Sequence, residues 1–119
     1  MVPVRLYFEF PDSDLSPIEA LDTEMVVRPE IGDTVCLRDF DAELKNDLVA
    51  ELAEAINDSL AASSYNGEIE NKGHVSNYKK AVIDFLYYAQ WNVESVTVTC
   101  KRLEVTIACI PGNPNYKKQ

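Results

Sequence analysis

The sequence predicts an α+β fold with the element order β-β-β-α-α-β-β. The expected architecture is a mainly antiparallel five-stranded sheet, or a partly open small barrel. A long amphipathic helix and a second helix pack against it. Three observations predict this. Residues 2–10 alternate apolar and polar side chains, residues 39–61 repeat leucines at helical spacing, and residues 93–110 form two β-rich runs around Lys101-Arg102. Strands grouped apart from helices point to hairpin pairing and not to alternating β-α units.

In chain order, Val2, Val4, Leu6, Phe8 and Phe10 alternate with Pro3, Arg5, Tyr7 and Glu9, the period of a half-buried strand. Pro11 and the Asp12-Ser13-Asp14 cluster end it. Ser16-Pro17-Ile18-Glu19-Ala20-Leu21 reads as one helical turn, with serine as N-cap and proline in the first helical position. Thr23 to Arg28 reads as a second strand closed by Pro29, Gly32-Asp33 as a turn, and Thr34 to Arg38 as a third strand. Pro29-Glu30-Ile31-Gly32-Asp33-Thr34-Val35 resembles the way strands begin in many small β-barrels, a pattern too common to name a family.

Asp39 to about Ala61 reads as the long helix, capped by Asp39 or Asp41, with Phe40, Leu44, Leu48, Leu52, Ile56 and Leu60 on its apolar stripe. Residues 62–76 read as a surface loop containing Asn-Gly and Lys-Gly. Residues 77–90 read as a helix by length, with Ser76 as N-cap, although Ile83, Tyr87 and Tyr88 make its second side apolar too. Such a helix needs cover on more than one side, which leaves a homo-oligomer through residues 77–90 open. Val93 to Cys100 and Leu103 to Ile110 read as a hairpin, with Cys100 opposite Leu103, Val98 opposite Val105 and Val96 opposite Ile107. Lys-Arg suits a two-residue turn poorly, so a longer or bulged tip is the alternative. The expected organisation is one domain over residues 1–110 and a polar C-terminal tail over 111–119.

Charge is distributed unevenly. Residues 1–60 hold 15 acids and 4 bases, net −11, while residues 61–119 hold 5 and 7, net +2, which together give the −9 of the 119-residue chain. This disfavours a general nucleic-acid binder, which needs clustered Lys and Arg, and a polybasic membrane-surface binder. No apolar run approaches the roughly 18 residues of a membrane span. The N-terminal residues lack the features of a signal peptide. The three cysteines, Cys36, Cys100 and Cys109, show no C-x-x-C spacing and fall on positions expected to face inward. Buried free thiols in a reducing cytoplasm are therefore expected, with no cofactor and no metal.

The most unusual pattern lies on the long helix. Glu43, Asp47 and Glu51 follow at four-residue spacing, Glu54 and Asp58 repeat it, and Lys45 is the one base among them. Residues three and four apart are neighbours, so these carboxylates form a stripe opposite the leucines. The stripe reads either as a solvated face that aids solubility or as an acidic surface for a basic partner. A divalent-cation site would need oxygens converging on one point. Tyr87, Tyr88 and Trp91 read as core and rim, or as an alternative interface, since Tyr and Trp are enriched at binding hot spots. His74, the single histidine, reads as a surface loop residue with no partner for catalysis nearby. No phosphate-loop, dinucleotide, zinc-protease or nucleophile-elbow motif is present.

The expectation is a small, soluble, non-enzymatic module of the inhibitor, immunity or adaptor kind that meets a basic protein through its acidic helix. The rivals are a small-ligand binder or enzyme with a pocket between sheet and helices around Cys36, Tyr87 and Trp91, and a structural homo-oligomer.

Overall fold

A computed structural model describes residues 1–11, 13, 18–37, 44–59 and 67–110, with residues 19–21 described for their backbone. The strands are β1 (Val2–Glu9), β2 (Ile18–Met25), β3 (Thr34–Val35), β4 (Trp91–Val98) and β5 (Leu103–Cys109). The helices are α1 (Asn46–Asn57) and α2 (Lys79–Tyr88), and a 3-10 turn over Val75–Asn77 precedes α2. The sheet order is β2-β1-β5-β4-β3, curled into a half-barrel. β1 and β5, the first and last strands, pair parallel at its centre, whereas the other three pairings are antiparallel. The sheet is therefore mixed.

Two bulges add to the curl. Leu6 faces Leu21 while Tyr7 faces Glu19, so Ala20 is the extra residue in β2. Val93 faces Ile107 while Ser95 faces Thr106, so Glu94 is the extra residue in β4. An extra residue also shifts the two-residue alternation by one. Trp91 and Val93 point inward before the bulge, and Val96 packs on the core after it.

The inner face of the sheet carries Val4, Leu6 and Phe8 from β1, Leu103, Val105 and Ile107 from β5, and Trp91 and Val93 from β4, all buried. Leu48, Val49, Leu52, Ala53 and Ile56 of α1 and Val82, Phe85 and Leu86 of α2 complete the same core cluster. Trp91 is fully buried, with its ring centroid 5.0 Å from Phe8 and 5.7 Å from Phe10. Its indole Nε1 donates to the Leu86 carbonyl at 3.4 Å, which satisfies the one polar atom of the side chain.

Several expectations are corrected. Residues 18–21 belong to β2 and form no helical turn, because Ile18 and Leu21 extend the pairing with β1 opposite Phe8 and Leu6. The third strand ends at Val35 and not at Arg38, which lies outside the described residues. Leu44 and Lys45 are non-helical, and Lys45 precedes α1 with extended backbone (φ −74°, ψ 151°) and no side-chain cap. Leu44 is nonetheless buried, so an extended approach satisfies an apolar spacing that also fits a helix. Asp39, Phe40, Asp41, Leu60 and the tail 111–119 lie outside the described residues. Ser76 does not cap α2. His74 Nδ1 instead accepts from the Ser76 N–H and so caps the 3-10 turn.

The hairpin register is shifted by two residues from the expected one, with Val98 opposite Leu103 and Val96 opposite Val105. A shift of two preserves the faces, so Leu103, Val105 and Ile107 are buried as expected, although Val98 is exposed and Ala108 is buried too. The tip is a four-residue turn closed by Thr99 N–H donating to the Arg102 carbonyl at 2.9 Å. Thr99 Oγ1 accepts from the Arg102 N–H at 3.1 Å. Cys100 sits in this turn and is exposed, as is Cys36 just beyond the short β3, so Cys109 alone is a buried thiol.

Candidate functional site

The acidic row is built on α1, whose opposite face is locked into the core. Asp47, Glu51, Glu54 and Asp58 are all exposed. At 100° per residue they fall within an arc of about 60°, and at 1.5 Å per residue they extend over about 16 Å. Glu43 lies outside the described residues, so the row described is one of four carboxylates. Asp58 is the C-cap residue, and its Oδ2 accepts from Ser13 Oγ at 2.8 Å. Asp47, Glu51 and Glu54 take part in none of the ion pairs among the described residues, which join Arg5 and Arg102 to Asp22 and Lys80 to Asp84. The four lie along a line, and no group of three or more metal-ligating side chains converges among the described residues.

Helix polarity makes this row unequal from end to end. Asp47 stands in the first turn, where the free N–H groups favour an anion. Glu54 and Asp58 stand at the other end, where free carbonyls disfavour one, and no base occupies the last turn. The sequence pattern located the row; the break between Lys45 and Asn46 and the polarity cost needed the structure.

The aromatic group divides. Trp91 is a core residue and offers no surface to a partner. Tyr88 is exposed and Tyr87 half-buried, and both border a cleft of about 390 Å³ between β3 and the end of α2, with Cys36 and Gln90 on its walls. Of the three residues around which a pocket was expected, Cys36 and Tyr87 border this cleft and the buried Trp91 does not. The outward line of α2 is Lys80, Ala81, Asp84 and Tyr88, with Lys80 Nζ 3.0 Å from Asp84 Oδ2. The second apolar side that the sequence suggested divides, with Ile83 and Tyr87 half-buried and Tyr88 exposed.

The outer face of the sheet carries the basic counterpart. Arg5 holds Asp22 with two contacts, Nε to Oδ1 at 2.9 Å and Nη2 to Oδ2 at 3.2 Å. Arg102 Nε, shielded from solvent and without a hydrogen bond, stands 3.8 Å from the same Oδ1. The Arg5 hydrogen bonds hold the Asp22 carboxyl below its ordinary range, helped by the charges of Arg5 and Arg102 and opposed by its partial desolvation.

Sequence reasoning missed a second concavity, a groove of about 520 Å³ between the two outer strands of the half-barrel. Its nearest sequence signal was Val26-Val27 standing beside a proline-closed strand end. Among the described residues no helix is long and apolar enough to cross a membrane. Comparison with known proteins gives no match, since no family model fits the chain and no curated protein or solved structure is significantly similar to it.

Proposed function

We propose that this domain is a non-enzymatic protein-binding module that meets a positively charged partner through the exposed face of α1. The observation that carries the proposal is the row Asp47, Glu51, Glu54 and Asp58, exposed and aligned on a helix whose other face is fixed in the core. Like charges three and four residues apart destabilise a helix, and two of these carboxylates also oppose its dipole. A row that works against the element bearing it calls for a reason outside folding. A fixed acidic row would speed and orient encounter with a basic surface, raising association rates about 10- to 1,000-fold at low ionic strength.

The test uses the whole chain and the variant Glu51→Lys/Glu54→Lys. Partners captured at low salt are identified by mass spectrometry, purified, and their association rates measured against ionic strength. The proposal expects a partner with a basic surface, a rate that falls steeply with salt, and loss of that dependence in the variant. Equal rates for both proteins, or a captured partner with no basic surface, would overturn it.

The cleft beside Cys36, Tyr87 and Tyr88 favours a second reading, a small-ligand site, because its volume lies within the range of ligand pockets. Saturable binding of a small molecule that perturbs the Tyr87 and Tyr88 ring resonances, unaffected by the α1 reversals, would favour this reading over the first.

A further inference from the structure

The half-barrel is open between β2 and β3, and the groove there has walls of an unusual kind. Consecutive residues border it on both sides, 23–27 on one and 33–37 on the other, with Leu6 of β1 beneath. Of these, 23–25 belong to β2 and 34–35 to β3. Side chains of a strand alternate between faces, so a space bordered by each successive strand residue is bordered by the backbone edge. β1 occupies one edge of β2 and β4 occupies one edge of β3. Among the described residues, therefore, the edges that meet at the groove are unpaired and no strand pairing closes the gap.

An unpaired edge presents N–H and C=O groups at every second residue and is a template for another strand. Proteins commonly blunt such edges with lysine. Here the described lining contains no Lys or Arg, and its two charged residues are Glu24 and Asp33. Val26 and Val27 beside them are 80% and 70% exposed.

We propose that this gap is a strand-acceptor site, in which an extended segment of a partner protein, carrying Lys or Arg among aliphatic residues, adds to the free edge of β2. The proposal rests on the binding-module reading and names the form of the partner's segment. Backbone pairing supplies affinity that depends little on sequence, and the alternate side chains meet apolar surface or the two carboxylates. A second copy of this chain is a poorer occupant, because its own β2 edge would bring Glu24 toward the same carboxylates.

The probe is a fluorescein-labelled, end-capped nonapeptide, Lys-Val-Thr-Val-Lys-Val-Thr-Val-Lys, titrated into the full chain at low ionic strength. Three relatives accompany it: one with Glu for Lys, and two N-methylated at alternate residues, one in each phase. Anisotropy reads affinity and amide hydrogen exchange reads the site. The expected result is at least tenfold slower exchange within residues 23–27. Affinity is expected to be at least tenfold weaker for the Glu peptide and for one N-methylated phase, and several-fold weaker with the variant Glu24→Lys. Absence of protection at 23–27 would overturn the proposal. So would equal affinity of both N-methylated peptides, the mark of an apolar side-chain pocket, or protection that rises with protein concentration without peptide, the mark of self-pairing. The Glu51→Lys/Glu54→Lys variant keeps the two proposals separable. If it loses its partner while the peptide gives no protection, the strand-acceptor site alone fails. If peptide protection is present while the reversal leaves partner association unchanged, the acidic-face reading alone fails.

Discussion

Replacing Glu54 by lysine should make the domain more stable, which is unusual for a charge reversal made without design. Glu54 stands in the last turn of α1, three residues after Glu51 and four before Asp58. Each like-charge neighbour costs roughly 0.2–0.5 kcal/mol, and each turns into an attraction of similar size when the sign reverses. A cation in place of an anion at the helix C-terminus adds about 0.3–1 kcal/mol at low ionic strength. After screening, the net gain should be about 1 kcal/mol, or about 4 °C in Tm for a domain of this size. Asp47→Lys is the internal control. It relieves the contact with Glu51 but places a cation in the first turn, so the two terms oppose and its effect should be near zero or destabilising. Urea unfolding at pH 7, at 20 mM and 500 mM salt, checks both. The gain for Glu54→Lys should shrink at high salt while the urea m-value stays constant. A loss of stability for Glu54→Lys, or equal responses at the two positions, would refute the claim that the row opposes its own helix. The functional reading would then lose its physical premise.

Two further outcomes follow from particular contacts. Asn57 holds Ile69 by both backbone groups, Nδ2 donating to its carbonyl at 2.8 Å and Oδ1 accepting from its N–H at 2.7 Å. Asn57→Ala should therefore cost about 2 kcal/mol in urea unfolding and expose the Ile69 amide to faster hydrogen exchange. Asp22→Asn should lower stability by at most about 1 kcal/mol, since the carboxylate is more than half exposed and its pairing is screened. Because folding lowers the Asp22 carboxyl below its ordinary 3.8, its contribution is complete above that value and fades as pH falls through the folded titration. The difference between Asp22→Asn and the natural chain should thus be present at pH 7 and vanish in strong acid, which unfolding curves at stepped pH would check.

The sequence disclosed what repeats and concealed what interrupts. Alternation in residues 2–10 and 103–107 located two strands and their buried sets, the 3.6-residue period located α1, and length decided for a helix at α2. Bulges left no such mark. The four-residue turn at 99–102 moved the register by two at the hairpin tip, and Glu94, an ordinary surface residue, moved it by one more beyond the bulge. The parallel pairing of β1 with β5 joins the two ends of the chain, and no local pattern reports which distant strands meet. Ile18 illustrates the same competition at short range, since Ser-Pro reads as a helix start until pairing with Phe8 outweighs it. Of the candidate site, the carboxylate row was legible because it shares the period of the leucines behind it. The groove was not, because a space between two edges belongs to topology and not to any one segment.

Placement decides whether the acidity serves solubility or recognition. A net charge of magnitude about 2–8 suffices to keep a small domain apart from its neighbours. The chain carries −9, and Glu54→Lys changes this by two, to −7, well inside that range. Solubility therefore does not require the acid at position 54, which opposes the helix dipole and crowds two like charges. Asp22 shows how the same fold treats a carboxylate kept for structure, gripped by Arg5 and approached by Arg102. Asp47, Glu51 and Glu54 receive no such compensation from the described bases. A selective pressure that held these carboxylates only for dispersion would act equally on any exposed position, without a preference for the last turn of a helix. A pressure for a directed charge pattern would act on the row as a unit and tolerate its local cost. The two pressures predict opposite outcomes for a variant that moves the charge of Glu54 to another exposed strand position at constant net charge. Both expect a stabler domain, but dispersion predicts unchanged association with the partner and recognition predicts slower association.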